Sequence, residues 1–477
     1  VPQARTAAAP VVMRVQVVAP APLGATAVAA LRARGLDARS SSELDETSPD
    51  LVALALDAPL GAAGAVELAA GCARAAAHGR PMCILVPPPR GTGRTAIERA
   101  AALATLRSNG AVLSSDVDTW LEAVVALVCF GVPRGPRVAV IAPPGSWLEA
   151  QTISLVGEAD ALGARAPMLT GEHHAKGEPA DVVLFDPDLT PAPAQLPGHA
   201  LAMHVTARGE LAPGQPVLHG MRAALGAIEI LGRAAERIAA GVGPATDAGA
   251  GLELDHATTR RRFAKLAGFE RVGDHETKGL LRAYGVAITR QAVATTPSAA
   301  VLKAREVGYP VELKPWGHNI ATEPDGCPIE HDVTSDARVR KGFSAVLAAA
   351  GNGLTEDNGA VIVREVPPLG RDLSAQLVHL GALGWTVVLE VNGHVIAAPA
   401  PLRPIDALVL ASAVIASRAG DAEPDRAGLA MVLRRASHLV VDLDTKLDRL
   451  ELPRIVVGGR GSRTVVVDAW CALPAGR

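Results

Sequence analysis

The sequence predicts an α/β protein whose parallel sheets are covered by helices on both faces. Short runs of Val, Leu, Ile and Ala, such as Leu51-Val-Ala-Leu-Ala-Leu56 and Arg137-Val-Ala-Val-Ile-Ala142, alternate with longer Ala-lined stretches of helical spacing. Gly and Pro punctuate the joints, as strand–helix–strand crossovers of a doubly wound sheet require. The third observation is length: 477 residues accommodate about three domains.

Composition excludes several classes of function. A net charge of −3 gives no general surface for polyanions, and aromatics at 3% are too few for the stacking platforms of single-stranded nucleic acid. Cys72, Cys83, Cys129, Cys327 and Cys471 form no C-x-x-C pair, the usage of a reducing compartment. No apolar run reaches bilayer-spanning length, and no secretory apolar region follows Arg14. The expectation is a cytoplasmic protein with no membrane or nucleic-acid partner. Residues 1–12 are expected to be unstructured, with Val1 and Met13 both open as the translation start.

A first domain is expected over residues 13–132. Its strands lie at 13–18, 51–56 and 82–86, its helices at 24–34, 62–78 and 115–128, the last capped by Asp116 or Asp118. Arg90-Gly-Thr-Gly-Arg-Thr95 has the look of a phosphate loop but lacks the G-K-[ST] ending. A second domain over 133–240 opens with the strand at 137–142 and a helix at 147–162, continues with strands at 182–185 and 201–205, and closes with a helix at 221–239. His173 and His174 have no spaced carboxylate that would make a metal site. Residues 241–270 read as a linker, rich in Gly, Ala and Pro over 241–258, with the charge run Arg260-Arg-Arg262 and Lys265 read as a solvated helix face.

The third domain, 271–477, begins with the most informative stretch. Leu280, Leu281 and Tyr284 share one helical stripe stopped by Gly285. A strand at 286–289, a helix at 297–307 stopped by Gly308 and a strand at 309–314 ending in Lys314 follow. Residues Glu276, Leu280, Leu281, Tyr284, Gly285, Gly308, Tyr309, Pro310, Val311 and Lys314 match the pattern E-x-x-x-K-x-L-L-x-x-Y-G-I-P…I-G-Y-P-V-V-L-K. This resembles the opening of the ATP-grasp domain of acyl-CoA synthetases (NDP-forming), the family of ADP-forming acetate–CoA ligase.

The resemblance implies two flavodoxin-like doubly wound domains, the first succinyl-CoA-ligase-like, followed by an ATP-grasp domain. It implies ATP or ADP and Mg²⁺ as ligands, with CoA handled by a separate chain or within a homo-oligomer, because the G-x-G-x-x-G of a CoA-binding Rossmann domain is missing after the first strand. Lys314 would meet the α- and β-phosphates. Arg364, Glu365 and Val366, in a segment similar to V-L-V-Q-E-M, would form the adenine hinge, and Asp372 would reach ribose or a cation.

Other parts of the pattern are replaced. No histidine lies between His78 and His173, where the family carries its phosphorylated relay histidine. The family's H-K and G-G after the lysine become Thr322-Glu323 and Cys327-Pro328, and proline offers no N–H to a phosphate. In the segment matching E-L-D-I-N-P, Leu450 and Leu452 replace the Asp and Asn, leaving Asp448 and Glu451 as neighbouring substitutes for Mg²⁺. Two readings follow: a catalytically degenerate homologue that acts by binding or regulation, or an active acid–thiol ligase that forms ADP without the histidine relay.

Overall fold

The computed structural model describes residues 14–44, 50–87, 92–161, 180–189, 200–206, 217–243, 249, 251–266, 268–318, 320, 326–351, 354–355, 357–391, 393–414, 424–459 and 462–474. The start of the chain, Arg90-Gly91, His173-His174 and Thr322-Glu323 lie outside them. The chain divides into two compact units, Val1–Pro244 and Ala245–Arg477. No helix among the described residues is long and apolar enough to cross a membrane.

The first unit opens with β1 (Val15–Val18), α1 (Ala21–Ala33), β2 (Ala38–Ser41), β3 (Leu51–Ala55), α2 (Ala62–Ala77), β4 (Cys83–Leu85), α3 (Gly93–Ser108), β5 (Val112–Ser114) and α4 (Val117–Cys129). The strands form an all-parallel sheet in the order β2-β1-β3-β4-β5, the flavodoxin-like order. β3 is buried along its whole length, which explains why it reads as a continuous apolar run. Asp116 caps α4 by accepting the Thr119 N–H at 2.7 Å, and the buried Trp120 indole N–H donates to the Cys83 carbonyl at 3.0 Å. Gly93-Arg94-Thr95, from the loop-like stretch of the sequence, is the first turn of α3.

A second parallel sheet joins β6 (Val138–Ile141), β7 (Val182–Phe185), β8 (Leu201–Thr206) and β9 (Leu218–His219), with α5 (Trp147–Ala161) and α6 (Met221–Ala239). Val15, Val17, Trp120, Val124, Val138, Leu184, Met203, Leu225 and Ile228 belong to one continuous core, so the two sheets share a hydrophobic interior. Gly232 of α6 allows the closest approach in it. A Cβ there would lie 2.4 Å from the Gly135 carbonyl carbon, which is backbone and cannot swing away.

The second unit contains α7 (His256–Ala264), β10 (Arg271–Val272), α8 (Asp274–Ala283), β11 (Gln291–Ala294), α9 (Pro297–Val307), β12 (Val311–Trp316), β13 (Glu330–Val333), α10 (Asp336–Ala350) and β14 (Ala360–Glu365). It continues through β15 (Gly370–His379), β16 (Trp385–Val391), β17 (His394–Pro399), α11 (Pro404–Val414), α12 (Arg426–Leu443), β18 (Arg449–Gly458) and β19 (Val465–Ala472). A four-stranded antiparallel sheet runs β11-β14-β12-β13, and a six-stranded one runs β10-β19-β18-β15-β16-β17. Together with the two parallel sheets, this is the expected fold class.

The helix read at the charge run is α7, capped by Asp255, whose carboxylate accepts the Thr258 N–H at 2.9 Å. Two local expectations change. The 286–289 segment is not a ladder strand: Ile288 makes one isolated bridge to Val466, and the strand proper is β11. β12 runs two residues past Lys314, so that lysine sits inside a strand.

Replacing Gly232 by Ala is expected to destabilise the first unit by about 1–3 kcal/mol through overpacking. Urea unfolding followed by far-UV circular dichroism measures it, and an unchanged midpoint would contradict the close approach.

Candidate functional site

The site grows from the alternation of β12. Val311 and Leu313 enter the core beneath α9 and α10, so Glu312 and Lys314 share the opposite face of the sheet. β14 alternates likewise, with Val361 and Val363 in that core. The register sets Arg364 opposite Glu312 on one side and opposite Gln291 on the other. A polar row thus crosses the sheet from β11 to β12.

Against this row stand the first turns of α8 and the body of β19. Asp274 and Lys278 are four apart on α8 and therefore on one face, 3.2 Å from each other. The Lys278 ammonium donates to Gln291 Oε1 at 2.8 Å, to Thr289 Oγ1 at 3.1 Å and to the Val467 carbonyl. Lys314 donates to Asp468 at 3.0 Å and lies 3.5 Å from Asp274. The Arg364 guanidinium grips Glu312 through two nitrogens at 2.6 and 2.8 Å and donates to the Val467 carbonyl. Ala469 N–H is shared between Asp274 and Asp468, each at 3.0 Å.

Three cations (Lys278, Lys314, Arg364) therefore meet three acids (Asp274, Glu312, Asp468), all six buried. Burial drives the Lys278 ammonium down to about 8, against the pull of Asp274. For Lys314 burial acts the same way, but Asp274 and Asp468 outweigh it and hold its proton more firmly than usual. Burial pushes the Asp468 carboxyl up to about 6 despite Lys314. Burial also opposes ionisation of Asp274, but Lys278 and Lys314 overcome it and hold this carboxyl well below the usual range. Of the two aspartates, Asp468 takes up a proton first as the pH falls.

Beside the cluster lies a cavity of about 10 Å³ lined by Arg271, Gly273, Lys314, Gly317, Ile362 and Trp470, among others, room for about one water. Gly273 brings its walls together: a Cβ there would lie 2.3 Å from the Gly317 carbonyl oxygen. The Arg271 guanidinium packs 4.2 Å from the centre of the Trp470 ring.

The residues expected to bind nucleotide and metal are thus placed as follows. Lys314 is in the buried cluster. Arg364 is fully buried and committed to Glu312. The Glu365 carboxylate accepts from the Arg290 N–H and side chain and from Arg463, while its own N–H donates to the Arg290 carbonyl. Val366, half-buried, follows the end of β14. Asp372 is exposed on β15, 3.2 Å from Arg454. Asp448 is exposed and Glu451 lies 3.3 Å from Arg449. Three positions apart on extended chain, Asp448 and Glu451 fall on opposite faces, and no cluster of metal-ligating side chains occurs among the described residues. Sequence reasoning missed Asp274, Lys278, Glu312 and Asp468. The Asp274-x-x-x-Lys278 spacing and the Val-Glu-Leu-Lys alternation were the available signals.

Two antiparallel sheets with a charged face between them define the class: residues 264–473 match the family model of the ATP-grasp domain. Homology points further, to the ADP-forming acyl-CoA and acetate–CoA ligases. The chain is 24% identical over 218 residues to the β subunit of acetate–CoA ligase (ADP-forming) II of Pyrococcus furiosus, covering 42% of this chain and 90% of that one. It is 25% identical over 181 residues to the β subunit of ligase I of the same organism, covering 35% and 78%. Among solved structures, the dinucleotide-forming acetyl-coenzyme A synthetase 1 of Ca. Korarchaeum cryptofilum, in complex with coenzyme A, Ca-AMPCP and HgCl+, aligns with a TM-score of 0.40 at 24% identity over 44% of this chain and 96% of that one.

Removing Lys314 leaves Asp274 and Asp468 facing each other, so Lys314→Ala is expected to cost about 3–5 kcal/mol in chemical denaturation. A near-neutral substitution would show that the lysine is not held by the cluster. Asp468 supplies a pH test. Its folded carboxyl titrates near 6 against 3.8 for an ordinary aspartate, so the folded state binds the extra proton between these values. The stability Asp468 contributes is full below about pH 4 and is lost as the pH rises through about 6. The stability difference between wild type and Asp468→Asn is expected to shrink over that window in urea titrations, and a flat difference would refute the assignment.

Proposed function

We propose that this chain is a catalytically degenerate relative of the ADP-forming acyl-CoA synthetases, which keeps an ATP-grasp cleft and acts by binding or regulation. The observation that carries this reading is the commitment of Lys314 to Asp274 and Asp468 within a cluster of equal and opposite charge. A polyphosphate gains its affinity from cations left unneutralised for it, and here the acids of the fold already hold them. The replacement of the relay histidine and of the phosphate-loop residues agrees with this, as does the separation of Asp448 from Glu451.

The ligands in this reading are ATP or ADP, with Mg²⁺ carried in on the nucleotide. Lys314 and the 364–366 strand end remain the residues nearest a bound phosphate and base, with Asp372 at the margin. CoA belongs to a separate chain or is handled within a homo-oligomer, the first being supported by the two Pyrococcus furiosus relatives, which are β subunits.

Calorimetric titration with Mg-ATP is expected to give a Kd of about 1 mM, weakened further in Lys314→Ala. ADP release is expected to stay at the level of the buffer when acetate and CoA are added together. Micromolar affinity combined with ADP release that requires both acid and CoA would overturn the reading and identify an active ligase.

A further inference from the structure

The second unit holds another cationic site, on the side of α8 that faces α7. α7 crosses α8 so that an open groove of about 840 Å³ runs between them, walled by Arg261, Arg262 and Lys265 on one side and by His275 and Glu276 on the other. That volume lies within the range of small-molecule sites, roughly 300–1,000 Å³. A narrower pocket of about 130 Å³ shares Arg262 and His275 with the groove and adds Lys278, Gly279, Arg282, Ile288 and Gln291, so that it touches the buried cluster at Lys278. Arg262 stands at the junction, one guanidinium nitrogen 3.0 Å from where a Cβ on Gly279 would sit.

The charge run that reads in the sequence as a solvated helix face therefore lines a concavity. Among the described residues none of its cations makes a salt bridge, in contrast to those around Lys314, although the Asp255 carboxylate at the start of α7 acts on Arg261 and Glu276 stands in the wall. Arg261 donates to Thr258 Oγ1 at 3.0 Å, and no acid among the described residues pairs with Arg262, Lys265 or Arg282. The one acid in the groove wall, Glu276, accepts the Trp316 indole N–H at 3.0 Å. Three buried polar atoms in the walls have no hydrogen-bond partner: His275 Nδ1, Gln291 Nε2 and Glu276 Oε2. The orientation of the Gln291 amide is fixed, because its oxygen takes the Lys278 ammonium at 2.8 Å. Its nitrogen is a donor in want of an acceptor, at a cost comparable to a lost hydrogen bond.

We propose that the α7–α8 groove binds a small phosphate ester, its phosphate on Arg261, Arg262 and Lys265 and its hydroxyl- or carbonyl-bearing tail reaching past Arg262 to His275 and Gln291. Two arginines and a lysine suit a dianionic phosphate, the guanidinium forks offering paired donors and the ammonium a point charge. The unpartnered polar atoms of His275 and Gln291 in the inner pocket suit a polar tail. The site goes beyond the nucleotide reading and stands or falls independently of it.

The test uses the full chain, with inorganic phosphate and glycerol 3-phosphate as probes in calorimetric titrations. Glycerol 3-phosphate is expected to bind more tightly than phosphate. The Arg261→Gln/Lys265→Gln double variant, changed only at exposed positions, is expected to weaken it about tenfold or more. Arg340→Gln/Lys341→Gln on α10, which removes the same charge elsewhere, is expected to leave it unchanged. Gln291→Leu is expected to erase the preference for the ester while sparing phosphate. No heat with either probe, equal weakening in both double variants, or phosphate binding as tightly as the ester would each overturn the proposal.

Discussion

The second unit depends on the closure of one buried ion cluster. Lys278 from α8, Lys314 from β12 and Arg364 from β14 are taken out of water together with Asp274, Glu312 and Asp468. Desolvation of a single ion costs several kcal/mol after relaxation, and pairing repays it only where the geometry is good and the remaining donors and acceptors are met. Here they are met by backbone as well as side chains: the Val467 carbonyl receives Lys278 and Arg364, and the Ala469 N–H serves Asp274 and Asp468. The cluster joins α8, the four-stranded sheet and β19 of the six-stranded sheet, so it sets where the two sheets stand. Apolar side chains could fill the same space. Ion pairs with directional hydrogen bonds also fix the registers of β12 and β14 against β19.

The same closure decides what the cleft can do. A lysine that faces an empty space is a phosphate ligand in waiting, whereas a lysine 3.0 Å from one carboxylate and 3.5 Å from another has its partners. An anionic ligand must compete with Asp274 and Asp468 for it, and every cation it draws away leaves a buried carboxylate behind. The cavity reinforces this, since Gly273 and Gly317 approach until about one water fits.

Much of this fold was legible in the sequence. Buried parallel strands such as Leu51–Ala55 announce themselves as unbroken apolar runs, and α8 and α9 announce their ends at Gly285 and Gly308. The site was legible only in part, for a physical reason. Local pattern identifies Lys314 as a cation on a strand, but its partners Asp274 and Asp468 lie 40 and 154 positions away in sequence, and periodicity carries no information about such pairings. The hinge shows the same limit. Arg364 and Glu365 are read from the resemblance as hinge residues, whereas the register gives one to Glu312 and the other to Arg290 and Arg463. Where a short segment gains most of its bonds from a distant strand, as Ile288 and Thr289 do from Val466, even its strand character misreads.

α8 shows how one helix can face two electrostatic environments. Asp274, Lys278 and Leu281 recur at helical spacing on the face turned to β19, where each charge is matched. His275, Gly279 and Arg282 recur one position further round, on the face turned to α7. Gly279 has no side chain to keep Arg262 at a distance, so cations of both helices gather there, with Glu276 of α8 the one acid in the wall. The inner face spends its charge on holding the unit together, and the outer face keeps its charge open to solvent. The unit therefore presents a cationic surface on the side of α8 that the sheet does not cover.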